Sequence, residues 1–115
     1  MTKEEILNMP AGRETDALIA EQIFNKKIQW KGIVLWEYAE GFSYPQFQVN
    51  HYSTSISAAW EVEEKIKEIR LREKYTQYLK NVVFSELASN HIWYLIHATA
   101  DQRCRAALLA VMEDK

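Results

Sequence analysis

Two hydrophobic periods alternate along this chain. Over residues 11–24, Ala17, Leu18, Ala20, Ile23 and Phe24 recur at helical spacing, with Arg13, Glu14, Asp16 and Glu21 assigned to the opposite side. Thr2 and Glu5 have the spacing of a capping box and predict a short helix that Asn8 and Pro10 end. Pro10 also suits the first turn of the helix that follows. From residue 28 the period shortens to two. Ile28, Trp30, Val34, Trp36 and Tyr38 fall on one face, and Gln29, Lys31, Ile33, Leu35 and Glu37 on the other. That pattern predicts one strand over 28–38 with a strongly buried face. Gly41 and Pro45 bracket a loop, and a short strand at 47–49 completes a hairpin.

The second half repeats the alternation. Ser53, Thr54 and Ser55 mark a helix entrance, where hydroxyl oxygens accept from the first free amides. Ile56, Ala59, Trp60, Glu63, Ile66 and Ile69 follow as a stripe. Glu61–Lys65, Glu63–Lys67 and Glu68–Arg72 are spaced for ion pairs one turn apart on a solvated face. Alternation at Tyr78, Val82 and Phe84 predicts a strand over 76–85. Residues 91–98, apolar on both faces, predict a central strand, with Ser89 and Asn90 at the turn between. Thr99 and Gln102 form a second capping box, and Ala100, Cys104, Ala107, Leu108 and Val111 give the last helix its apolar face.

The predicted order is α-β-β-α-β-β-α. It implies an α+β fold, an α/β/α sandwich built on an antiparallel sheet of about four strands. A length of 115 residues fits one domain, 1–115, with enough buried area for a core. The net charge of -2 argues against a protein that works by neutralising phosphates, although it leaves room for a local basic patch. The one cysteine excludes an internal disulfide and a cysteine zinc cage. There is no signal-peptide pattern and no apolar run of membrane-spanning length, so the expected location is a reducing cytoplasm.

Catalytic chemistry finds little support. His51, His91 and His97 lack metal-ligand spacing, Cys104 lies on an apolar stripe, and no phosphate loop or paired-carboxylate motif is present. The expectation is a protein without catalytic residues, metal or cofactor. Binding is better supported. Tyr44, Tyr52 and Trp60 offer rings that can stack on a base. Ser53, Thr54 and Ser55 offer hydroxyls and amides to a phosphate, and Arg13, Arg103 and Arg105 are the candidate cations.

Three runs carry a resemblance. They are Met1–Leu7 with Ala11–Glu21, then Tyr52–Val62, then Ala98, Ala100 and Cys104–Ala110. In these blocks the chain resembles the phage ABA sandwich domain family, small proteins of phages and prophages of Gram-positive bacteria. The segments 28–48 and 76–97 follow no pattern of that family. The resemblance implies a sandwich fold and a phage origin, and it carries no catalytic residues across. By analogy of class, small phage proteins of this kind sequester nucleotide immune signals in pockets between subunits. The leading expectation is such a counter-defence sponge for a cyclic ADP-ribose-type or cyclic dinucleotide signal. It would work without turnover, as a homo-oligomer in the cytoplasm of the infected host, with neither membrane nor strong nucleic-acid binding. The alternative is a protein-binding inhibitor of a host defence enzyme such as a nuclease, anchored by Phe42-Ser43-Tyr44-Pro45. An unassigned structural or regulatory phage protein is the third reading.

Overall fold

The computed structural model describes residues 1–84 and 95–114. Its elements are α1 (Lys3–Leu7), α2 (Arg13–Gln22), β1 (Ile28–Lys31), β2 (Val34–Glu37), β3 (Phe47–Gln48), α3 (Ile56–Glu68), α4 (Arg72–Phe84) and α5 (Ala100–Asp114). The molecule is a mixed helix and sheet structure, compatible with an α+β sandwich. Its three strands form one antiparallel meander in the order β1-β2-β3.

The caps expected at Thr2, Ser55 and Thr99 are present. Thr2 caps α1 through its side chain, and Glu5 returns the bond to the Thr2 amide. Ser55 caps α3. The Thr99 amide donates to Gln102 at 2.9 Å, and the Gln102 amide donates to the Thr99 hydroxyl at 3.1 Å. Such caps satisfy amides that no carbonyl of the helix can reach. The second helix begins later than expected. Gly12 is its N-cap, and Pro10 lies outside it, accepting from the Thr15 hydroxyl at 2.7 Å.

The strand expected over 28–38 is a hairpin. Lys31 pairs with Val34, so Gly32 and Ile33 make a two-residue turn. Gly32 has φ +64 and Ile33 does not have a positive φ, the pattern of a type II′ turn. The turn splits the face expected to be buried. Trp30 pairs with Leu35 and Ile28 with Glu37 on one side, and Gln29 pairs with Trp36 and Lys31 with Val34 on the other. Leu35 is fully buried and packs in the core, whereas Ile33 is 91% exposed at the tip. The short strand near residue 47 is present and pairs with β2.

The strand expected over 76–85 is helical as far as Phe84. Tyr75, Leu79, Val82 and Val83 are buried at spacings of three and four, a helical stripe. Leu71, which precedes α4, accepts the Tyr75 amide through its carbonyl. Of the strand expected over 91–98, residues 91–94 lie outside the described residues, as do Ser89 and Asn90, and Leu95 and Ile96 are helical. The third and fourth strands therefore have no counterpart among the described residues.

The centre of the molecule is α5. Cys104, Ala106, Ala107, Leu109 and Ala110 are fully buried, as Arg105 nearly is. Helices α1, α2, α3 and α4 all pack against it. Alanines at 106, 107 and 110 let these neighbours approach. The sheet lies to one side and packs on α2. On α3 the buried stripe is Ala58, Ala59, Val62 and Ile66, not the expected Ile56, Trp60 and Ile69, which are exposed.

Candidate functional site

Most of the residues expected to bind ligand are tied into the fold. Arg13, in the first turn of α2, reaches the Asp16 carboxylate at 2.8 Å and the Val49 carbonyl at 2.6 Å. It also meets the Asn50 carbonyl and the His51 Nδ1, each at 3.3 Å. Asp16 was expected on the wet side of α2 and is fully buried. Its other oxygen accepts from the Ser53 amide at 2.8 Å and the Ser53 hydroxyl at 2.7 Å. The Ser53 hydroxyl in turn accepts from the Gly12 amide at 2.9 Å. Arg13, Asp16 and Ser53 thus form a buried latch between the start of α2 and the entrance to α3. Burial makes every bond in it matter, because an unpaired polar group there would lose its water.

The other arginines are similarly engaged. Arg103 donates to Glu63 at 2.6 Å, to the Ala98 carbonyl at 3.0 Å and to the Ile96 carbonyl at 3.1 Å. The Tyr75 hydroxyl donates to the same Glu63 carboxylate. Burial first, and then that bond, pushes the Tyr75 phenol well above its ordinary range. Glu63 and Lys67 were expected to pair along α3, but Glu63 turns inward to Arg103, and Lys65 meets Glu68 at 3.9 Å. Glu61 accepts from Asn50 at 2.7 Å. Arg105 is buried between the Leu7 carbonyl at 2.7 Å and Asp101 at 3.1 Å.

The expected aromatic and hydroxyl residues divide. Tyr52 is buried and stacks on Phe24, with ring centroids 5.1 Å apart. Its carbonyl accepts from the Cys104 thiol at 3.2 Å. Ser55 is occupied as a cap, whereas Thr54 and Trp60 face solvent. Tyr44 is 61% exposed and meets the Phe42 ring edge-on, with ring centroids 6.1 Å apart. Of the nine residues, Arg13 and Ser53 are brought together, through Asp16.

A different place gathers suitable chemistry. The chain leaving α2 (Phe24, Lys26, Lys27) and the loop after β2 (Tyr38, Phe42) line an open groove of ≈ 460 Å³. Asn25, at φ +54, turns the chain there, and the Lys26 amide closes the turn on the Ala20 carbonyl at 2.9 Å. The Tyr38 amide donates to the Lys27 carbonyl at 2.9 Å, which joins the two walls. Lys27 lies over the Tyr38 ring, 4.5 Å from its centre, and Tyr38 donates to Gln29 at 2.6 Å. Lys26 faces Glu37 at 3.9 Å. Burial raises the Glu37 carboxyl above its ordinary value, partly offset by Lys26. The parity of the hairpin could have revealed this groove, since it sets Lys27, Gln29 and Lys31 beside Tyr38 and Trp36.

The model of the phage ABA sandwich domain matches residues 17–108, most of the chain. The protein belongs to the phage ABA sandwich domain family. No curated protein and no solved structure is significantly similar to it. Family membership supports a phage protein. The match takes in the 28–48 and 76–97 segments that the three resembling runs left out.

In this ABA sandwich protein, Glu40 and Gly41 also line the groove. Among the described residues, no group of three His, Cys, Asp or Glu side chains is placed to hold a metal. Burial lifts the Cys104 thiol far above its usual value, so it is neutral and enclosed, the opposite of a nucleophile. No helix is long and apolar enough to cross a membrane among the described residues.

Proposed function

We propose that this phage protein is a non-catalytic binder that holds a small nucleotide signal of the cyclic ADP-ribose or cyclic dinucleotide class, acting in the host cytoplasm against a defence response. The observation that carries the reading is the groove between Phe24–Lys27 and Tyr38–Phe42. It offers aromatic faces for a base and, in Lys27, a cation held over the Tyr38 ring. Sequestration needs affinity and copy number, not turnover, and a second subunit would cover so open a groove.

Native mass spectrometry with a panel of cyclic dinucleotides and cyclic ADP-ribose isomers tests this. The expected result is an oligomer that gains whole-number copies of intact ligand, with the gain lost in Lys27→Glu and Phe42→Ala. No gain from any ligand, or a gain unchanged in both variants, overturns it.

The exposed loop favours a second reading, a protein-binding inhibitor of a host defence enzyme. Phe42, Tyr44 and Phe47 are each at least half exposed around Pro45. Aromatic side chains so presented are common anchors of protein interfaces. A host enzyme held by the wild type and released by Tyr44→Asp would favour this reading over the first.

A further inference from the structure

The turn between α3 and α4 concentrates positive charge in a chain whose net charge is -2. Lys67 stands near the end of α3, Arg70 in the turn and Arg72 at the start of α4, and all three are exposed. They line one open groove of ≈ 450 Å³. A second groove of ≈ 560 Å³ continues from Arg72 along α4 past Thr76 and Gln77 to Lys80. Residues 72, 76 and 80 are one turn apart each and share a helix face. The two grooves therefore make one continuous track.

Two acids share these grooves with the cations. Glu73 lines both grooves, and Asp114 is taken by Lys74 at 3.3 Å. Among the described residues, no carboxylate lies within ion-pair distance of Lys67, Arg70, Arg72 or Lys80. Arg70 holds φ +63, a left-handed conformation that a long side chain seldom adopts. Like charges gathered without partners repel one another and raise the local potential for an anion.

We propose that Lys67, Arg70, Arg72 and Lys80 form a cationic track that takes the phosphodiester backbone of a nucleic-acid strand. The span from Arg72 to Lys80 is about 12 Å at the rise of an α-helix. Each strand of a duplex carries one charge per about 3.4 Å of axis, so a track of this length faces several phosphates. Among the described residues, no aromatic side chain lines either groove, so the contact reads the backbone and not the bases. This track is separate from the groove at Lys27, and neither reading depends on the other.

Fluorescence anisotropy with labelled 12-nucleotide single-stranded and duplex DNA in low salt tests the proposal. Binding should weaken as salt rises, with a logarithmic slope of about -2 to -3 for three to four phosphate contacts on single strands. Replacing Lys67, Arg70, Arg72 and Lys80 together by Gln should weaken it at least tenfold. These side chains are exposed, and circular dichroism checks that the helices persist. Arg70→Lys with Arg72→Lys should keep most of the affinity, and Lys26→Gln with Lys27→Gln should change it less than twofold. The proposal fails if neither DNA binds in low salt, or if the fourfold variant binds like the wild type. It also fails if the Lys26 and Lys27 variant loses binding, or if a poly-glutamate peptide of equal charge binds as tightly.

Discussion

The Ser53 hydroxyl lies 2.7 Å from the Asp16 carboxylate, and the Asp16 side chain has no exposed surface. The same carboxylate pairs with Arg13 through its second oxygen. Asp16→Ala would strand the Ser53 amide, the Ser53 hydroxyl and the Arg13 guanidinium together. A loss of about 3–5 kcal/mol is expected, as for a buried ion pair that loses one partner. Ser53→Ala removes less and should cost about 1–3 kcal/mol. Urea denaturation measures both.

Tyr52 and Trp60, candidates for the same binding task in the sequence, should separate in a stability measurement. Tyr52→Ala removes a buried ring stacked on Phe24 and should cost about 3–5 kcal/mol. Trp60 is 55% exposed on the outer side of α3. Trp60→Ala should fall within about 0.5 kcal/mol of the wild type. Equal losses in thermal or urea unfolding would contradict the observed rotation of α3.

Arg103→Glu would set two carboxylates against each other at Glu63 and release the Ala98 and Ile96 carbonyls. A loss of about 3–5 kcal/mol is expected from removing a well-enclosed partner. The exchanged pair Glu63→Arg with Arg103→Glu should recover part of it, which a double-mutant cycle in urea would show. Arg103→Gln should leave nucleotide binding at the Lys27 groove unchanged.

What could be read in advance was local. The Thr2 and Thr99 capping boxes and the Ser55 cap need only a few neighbouring residues, and all are present. The hairpin was hidden by its own turn. A single strand puts Trp30 and Trp36 on one face, but a two-residue turn reverses the parity and pairs Trp30 with Leu35. On α4, the β-branched and aromatic side chains of Tyr78 and Val82 suggested a strand. The spacing of Tyr75, Leu79 and Val83 carried the helix signal. The site residues were the least legible. Arg13, Arg103 and Arg105 are candidate cations in the sequence, yet Arg13 and Arg105 donate to the Val49 and Leu7 carbonyls, which only the tertiary fold brings near, and Arg103 donates to the Ile96 carbonyl. No local pattern announces a side chain that bonds to a distant carbonyl.

Cys104 should be inert. Burial pushes its thiol up, with the Asp16 and Asp101 charges adding to the effect. In the unfolded chain the thiol ionises near its ordinary value, about 8.5, while the folded chain keeps the proton. The unfolded state then binds fewer protons, so this residue makes stability fall as pH rises above that value. Wild type should lose more stability than Cys104→Ala between pH 7.5 and 9.5, and Ellman's reagent should react only after urea is added.

Glu37 should act in the acid range with the same sign. Its folded carboxyl is raised by burial, so the folded state holds a proton that the unfolded state has released. Stability from this residue falls as pH rises from the ordinary carboxyl range through the raised value. Glu37→Gln should flatten that part of the urea-midpoint curve against pH.

The position of α5 has a consequence for biosynthesis. Helices α1, α2, α3 and α4 all rest on it, and it follows each of them in the chain. A nascent chain that has completed α3 and α4 still lacks the α5 side chains that share the core with Ile66, Leu79 and Val82. At roughly 5–20 residues per second, those side chains wait some seconds for Cys104, Leu108 and Leu109 to be synthesised. The core therefore closes only once α5 has emerged, and any chaperone that holds the chain has its window before that moment.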